Sequence, residues 1–90
     1  MRIDDTLREL EAIAEKLKIR VSYEALGGEL GAGGLCKVKG EYRVIIDKRS
    51  TAGERATVIA QSLAGFSLDE IFIAPEIRDL ILKSAAFKRT

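Results

Sequence analysis

The stretch Glu41-Tyr42-Arg43-Val44-Ile45-Ile46-Asp47-Lys48-Arg49-Ser50-Thr51-Ala52-Gly53-Glu54 decides the reading of this chain, because a strand ends and a helix begins within it. The β-branched run at its centre favours an extended backbone that packs on at least one side. Thr51, with Glu54 three residues on, then makes the capping-box pattern. In that arrangement the hydroxyl accepts from a first-turn amide and the glutamate reaches back to the amide of the capping residue. Ala56, Ile59, Ala60, Leu63 and Phe66 continue at helical spacing, and Gly65 suits the helix end.

Upstream, Leu35 to Lys39 forms the other half of a hairpin with Glu41 to Asp47, turning at Gly40, since glycine tolerates the positive φ of tight turns. Ile19, Val21 and Tyr23 alternate with Arg20, Ser22 and Glu24, the period of a half-buried strand. Earlier still, Ile3, Leu7, Leu10, Ile13, Ala14 and Leu17 recur at three- and four-residue steps, predicting an amphipathic helix over residues 3–18. Asp4 or Asp5 is expected to accept from its free first-turn amides, and Lys16 and Lys18 suit its carbonyl end. Downstream, Ile71 to Ile73 reads equally as a short strand or a helical turn. Pro75 opens a last helix through Ile77, Leu80, Ile81 and Ala85, with Asp79 and Lys83 as a charge pair. The expectation is an α+β fold over a single domain, residues 1–90. Its order is α-β-β-β-α-(β)-α, with a small three- or four-stranded, mostly antiparallel sheet and helices packed on one face.

The composition narrows the chemistry. A hydrophobic fraction of 47% with 32% charged residues and one proline belongs to a globular chain. There is no histidine and a single cysteine, so one chain cannot assemble imidazole–thiolate zinc ligation, a serine–histidine or cysteine–histidine nucleophile pair, or an internal disulfide. The opening residues lack the apolar run of a signal peptide, and no segment nears the roughly eighteen apolar residues of a membrane span, so a cytoplasmic protein with no membrane partner is expected. A net charge of +1 supplies no global attraction to nucleic acid or anionic lipid.

Two local features are candidate contact sites. Leu26 to Gly34 holds five of the eight glycines, Gly27, Gly28, Gly31, Gly33 and Gly34, whose bare amides could cradle an anion or meet a partner. It fits neither the Walker nor the dinucleotide pattern, since a strand follows it and Glu29 would repel phosphate. The second feature is a basic patch. If Ile19, Val21, Tyr23, Cys36, Val38, Tyr42, Val44 and Ile46 face the helices, then Arg20, Lys37, Lys39 and Arg43 face outward together, diluted by Glu24 and Ile45. Such lysines also guard a sheet against edge-to-edge aggregation, and no outward aromatic offers a base a stacking platform. Cys36, within a strand, reads as a small buried hydrophobe. The carboxylates Asp47, Glu54, Asp69, Glu70, Glu76 and Asp79 fall at strand and helix ends, where capping and dipole effects account for them. Nothing calls for a metal or a cofactor.

The strand Leu17-Lys18-Ile19-Arg20-Val21, the glycine loop, the hairpin ending Val44-Ile45-Ile46-Asp47 and the helix Glu54-Arg55-Ala56-Thr57-Val58-Ile59-Ala60-Gln61-Ser62-Leu63-Ala64-Gly65 together resemble the front half of the ImmA/IrrE-type zinc metallopeptidase domain, over residues 17–66. In that family the helix carries His-Glu-x-x-His, two zinc ligands with a glutamate base. Here those positions are Gln61, Ser62 and Gly65, so the resemblance implies a scaffold without zinc or peptide hydrolysis. The chain also resembles small bacterial proteins, which adds no mechanism. The leading functional reading is a non-catalytic protein-interaction module, binding a protein partner or a second copy of itself. The alternatives are a nucleic-acid or anion binder using the basic face, and an enzyme whose general base is not histidine.

Overall fold

A computed structural model of the chain describes residues 2–26 and 33–88. The elements run α1 (Ile3–Lys16), β1 (Arg20–Glu24), β2 (Gly33–Val38), β3 (Glu41–Asp47), α2 (Ala52–Leu63) and α3 (Pro75–Lys88), the α+β order expected. Gly27, Gly28 and Gly31 of the glycine loop lie outside the described residues.

α1 begins without a side-chain cap: Arg2 holds the capping position, and Asp4 and Asp5 sit inside the first turn. The expected acceptance by Asp4 or Asp5 is therefore replaced by interaction with the helix dipole alone. The other end is more closely specified. Lys18 is left-handed, with φ of 63°, its amide donates to the Glu15 carbonyl (3.0 Å), and the Ile19 amide donates to that of Ala14 (2.9 Å). This pair of bonds is the Schellman motif, and it turns the chain so that Ile19 enters the core, 4% exposed. α2 opens with the predicted capping box: the Glu54 amide donates to Thr51 Oγ1 (3.1 Å) and the Thr51 amide to Glu54 Oε1 (2.8 Å).

The three strands order as β1-β3-β2. β3, the most aliphatic of them, takes the centre, where both edges are hydrogen-bonded; the shorter, more polar β1 and the glycine-led β2 take the flanks. β2 pairs antiparallel with β3, whereas β1 runs parallel to it, so the sheet is mixed. No fourth strand forms at Ile71 to Ile73. That segment is irregular, tucking Leu68 and Ile73 into the core and leaving Phe72 86% exposed.

α1 and α2 lie against each other over one face of the sheet; α3 packs on α2 and α1 rather than on the strands. Leu10 of α1, Val44 and Ile46 of β3, Ile59 and Leu63 of α2, and Ile77 and Ile81 of α3 are wholly buried between these layers. Each such side chain contributes about 1.5–3 kcal/mol relative to an exposed one. α2 is thus the central element of the helical layer, and its small residues Ala56 and Ala60 are buried. The buried Ser62 hydroxyl donates within the helix to the Val58 carbonyl (2.8 Å).

Candidate functional site

Among the described residues no helix covers the second face of the sheet, and the register fixes what it presents. Partnered residues on neighbouring strands share a face. Val44 and Ile46 point to the helices, so Arg43, Ile45 and Asp47 point away from them. Arg20, Arg43 and Cys36 then form one row across β1, β3 and β2; Ser22, Ile45 and Gly34 form the next; Glu24 and Asp47 close the far end. Val38 and Glu41 close the near end, so the arginine pair and Ile45 lie between acidic residues at both ends of the open face. A recess of about 250 Å³ lined by Leu26, Gly33, Gly34, Leu35, Cys36 and Ile45 lies in its apolar part. Arg43 is half-buried, and its Nε has no hydrogen-bond partner among the described residues.

This arrangement corrects the expected basic patch. Arg20 and Arg43 are adjacent on the open face, as expected, but Lys37 pairs with Tyr42 on the helix-side face and holds its ammonium 5.2 Å from the centre of that ring. Lys39 is in the turn. Cys36 and Val38, expected to face the helices, are on the open side, Cys36 half-buried and Val38 41% exposed. The reason is the hairpin loop. Lys39 and Gly40, with φ of 53° and 82°, make a two-residue turn of the I′ kind, setting Val38 opposite Glu41. With Gly40 alone taken as the turn the count differs by one residue, and a one-residue shift inverts every side chain of a strand.

Of the loop glycines within the described residues, Gly33 has a structural requirement. Its φ is 132°, and a Cβ there would stand 1.9 Å from the Ile45 carbonyl oxygen. A side chain is excluded by the backbone of β3 itself. Gly34 has open space around it.

A polar cluster that the sequence did not disclose joins three elements at the edge of the helical layer. The Tyr23 hydroxyl donates to Glu11 Oε2 of α1, and the Arg55 guanidinium of α2 stacks on the Tyr23 ring at 4.8 Å while donating to the Lys48 carbonyl (2.9 Å). Burial first, and the neighbouring Glu11 carboxylate second, push the Tyr23 phenol up to about 12, against a smaller opposing influence from Arg55. A phenol so placed stays protonated at neutral pH and acts as a hydrogen-bond tie between β1 and α1, not as a base. Glu11 and Tyr23 are twelve residues apart, and only the packing of α1 beside β1 brings them together. A cleft of about 330 Å³ lined by Glu11, Glu15, Ile19, Arg20, Val21 and Tyr23 runs along this edge.

A wider cleft of about 590 Å³ borders the start of α2, lined by Gly33, Thr51, Gly53, Glu54, Thr57, Val58 and Gln61. The Glu54 carboxylate already serves the first turn there and disfavours an anion. Among the described residues, no three potential metal-ligating side chains converge, and no helix is long and apolar enough to cross a membrane.

No protein-family model, curated protein or solved structure matches the chain.

Proposed function

We propose that this chain is a non-catalytic protein-interaction module whose contact surface is the open face of its sheet. The observation that carries the reading is the layout of that face: Ile45 at its centre with a recess beside it, Arg20, Arg43 and Cys36 in the adjoining row, Glu41 with Val38 beyond them, and Glu24 with Asp47 at the other end. The occupant it fits is a protein surface with an apolar centre, a carboxylate to meet Arg43, and a basic group to meet Asp47. Opposed charges of this kind fix orientation and register, while the apolar centre supplies most of the affinity. Mixed charge along the face also favours a protein over nucleic acid, because Glu24 and Asp47 lie along the path a phosphate backbone would follow from Arg20 and Arg43. The resemblance of residues 17–66 to a metallopeptidase scaffold supports the absence of catalysis, since Gln61, Ser62 and Gly65 stand where that family's zinc motif would be.

The test is a comparative capture from native lysate, nuclease-treated, with the wild type, Ile45→Asp and Arg43→Glu presented side by side, each variant first checked for wild-type circular dichroism. A protein retained by the wild type and lost with both variants is the expected result. Retention that both variants leave unchanged places contact elsewhere, and retention abolished by nuclease transfers the function to nucleic acid.

A further inference from the structure

Among the described residues no strand pairs with the outer edge of β1; that edge is self-complementary, and we propose that two copies of this chain pair through it, β1 against β1 in antiparallel register centred on Ser22, to make one continuous six-stranded sheet. The backbone fixes the parity. The Lys48 amide donates to the Glu24 carbonyl at 2.9 Å, in the register that sets Glu24 opposite Asp47. In a strand the amide and carbonyl of one residue point to the same side, and alternate residues point to opposite sides. Arg20, Ser22 and Glu24 therefore direct their backbone groups at β3, and Val21 and Tyr23 direct theirs at the free edge. Antiparallel pairing of two such edges satisfies all four of these donors and acceptors on each copy in one register only, that in which Val21 of each copy faces Tyr23 of the other.

That same register decides the side chains. It sets Arg20 of one copy opposite Glu24 of the other, twice, and Ser22 opposite Ser22 on the two-fold axis. These are the non-hydrogen-bonded pairs of the new ladder, where opposed side chains come closest. Shifting by two residues either way leaves edge groups unpaired and separates both ion pairs. The edge is also accessible, since the cleft between α1 and β1 leaves it bordered by space, with Tyr23 37% exposed. β2, the other edge, carries Lys37 with no acidic residue along Gly33–Val38, and self-pairing there would gain no such ion pairs. Because the axis is perpendicular to the sheet, the two open faces join on one side, whatever protein each of them binds.

The contact is small for a protein interface, so concentrations from about 10 µM to 1 mM are the range to examine. Sedimentation of the full chain, paired with amide exchange read by NMR, tests the proposal with four proteins: wild type, Arg20→Glu, Glu24→Arg, and the double reversal. The wild type is expected to move from 9.9 kDa toward twice that mass as concentration rises, with the Val21 and Tyr23 amides becoming protected in step. Each single reversal puts like charges in both cross-strand pairs and should weaken dimerisation about tenfold or more; the double reversal should restore it. A chain that stays at 9.9 kDa throughout, a dimer whose Val21 and Tyr23 amides exchange freely, or a double reversal as weak as the single ones overturns it. Ile45→Asp is expected to leave this dimer intact, so loss of partner capture by that variant and loss of self-pairing are separate results.

Discussion

β1 and β2 flank the same central strand, yet they are held in place by different means. β1 is fixed where it begins: the left-handed Lys18 turns the chain out of α1, Ile19 drops into the core, and Val21 and Tyr23 follow on the helix side. β2 is fixed by its contacts with β3, through the two-residue turn at its end and the close approach of Gly33 to Ile45 at its start. Both faces of β2 are partly covered along Gly33 to Cys36, so burial distinguishes them weakly. A strand with one buried side is oriented by the hydrophobic effect; a strand with two half-covered sides takes its orientation from the turn that delivers it.

The sharpest way to break β2 alone is Gly33→Ala, which places a methyl group where the Ile45 carbonyl stands and forbids the positive φ; a loss of about 4 kcal/mol in urea unfolding is expected. A shift below about 1 kcal/mol would show that β2 does not need that approach. On the β1 side, Ile19→Ala should cost about 3 kcal/mol, because the residue is 4% exposed and its removal leaves a cavity where the strand is anchored. Lys18→Gly acts in the opposite direction. A non-glycine residue at φ of 63° is strained, so glycine should raise stability by up to about 1 kcal/mol, and a destabilised variant would mean that the lysine side chain outweighs the strain.

Smaller effects distinguish the two possible faces of β2. Lys37→Ala should cost about 0.5 kcal/mol through loss of the cation–ring contact with Tyr42. Cys36, half-buried on the open side, should react with a thiol reagent in the folded state; a thiol that reacts only on global unfolding would put it under the helices instead. The tie between β1 and α1 is read by pH. The folded Tyr23 phenol, raised to about 12 from an unfolded value of 10.0, keeps its proton where the unfolded chain loses it. Its contribution is therefore complete below about pH 10 and fades as pH rises from there to about 12. Absorbance at 295 nm should show a phenol titrating near the upper value in the wild type and missing in Tyr23→Phe, whose stability should fall less steeply over that interval.

Much of the fold was legible. The capping box at Thr51 and Glu54 uses contacts between neighbours in sequence, so its residues report it directly. The same holds for the alternation of β1 and the stripes of α1 and α2, each of which faces one apolar layer. The open face was legible in part. Arg20 and Arg43 were placed together correctly because both lie on strands whose other side is buried, but Lys37 and Lys39 were not, because Leu35-Cys36-Lys37-Val38-Lys39 satisfies period two in either phase. The acidic end formed by Glu24 and Asp47 depends on β1 and β3 running parallel, and no local residue pattern encodes strand direction.

The sequence by itself therefore determined the elements, their order, the α+β class and the exclusion of histidine chemistry, all of which depend on composition or on residues within a turn or two of each other. The tertiary structure decided the strand order β1-β3-β2, the phase of β2, the joining of Tyr23 to Glu11 and Arg55, and the charge layout of the open face. Those properties follow from which distant backbones hydrogen-bond to one another, and a mixed sheet with one covered face has several pairings that bury the same aliphatic residues. Backbone pairing, turn geometry and close packing select among them, and they act only once the chain has folded.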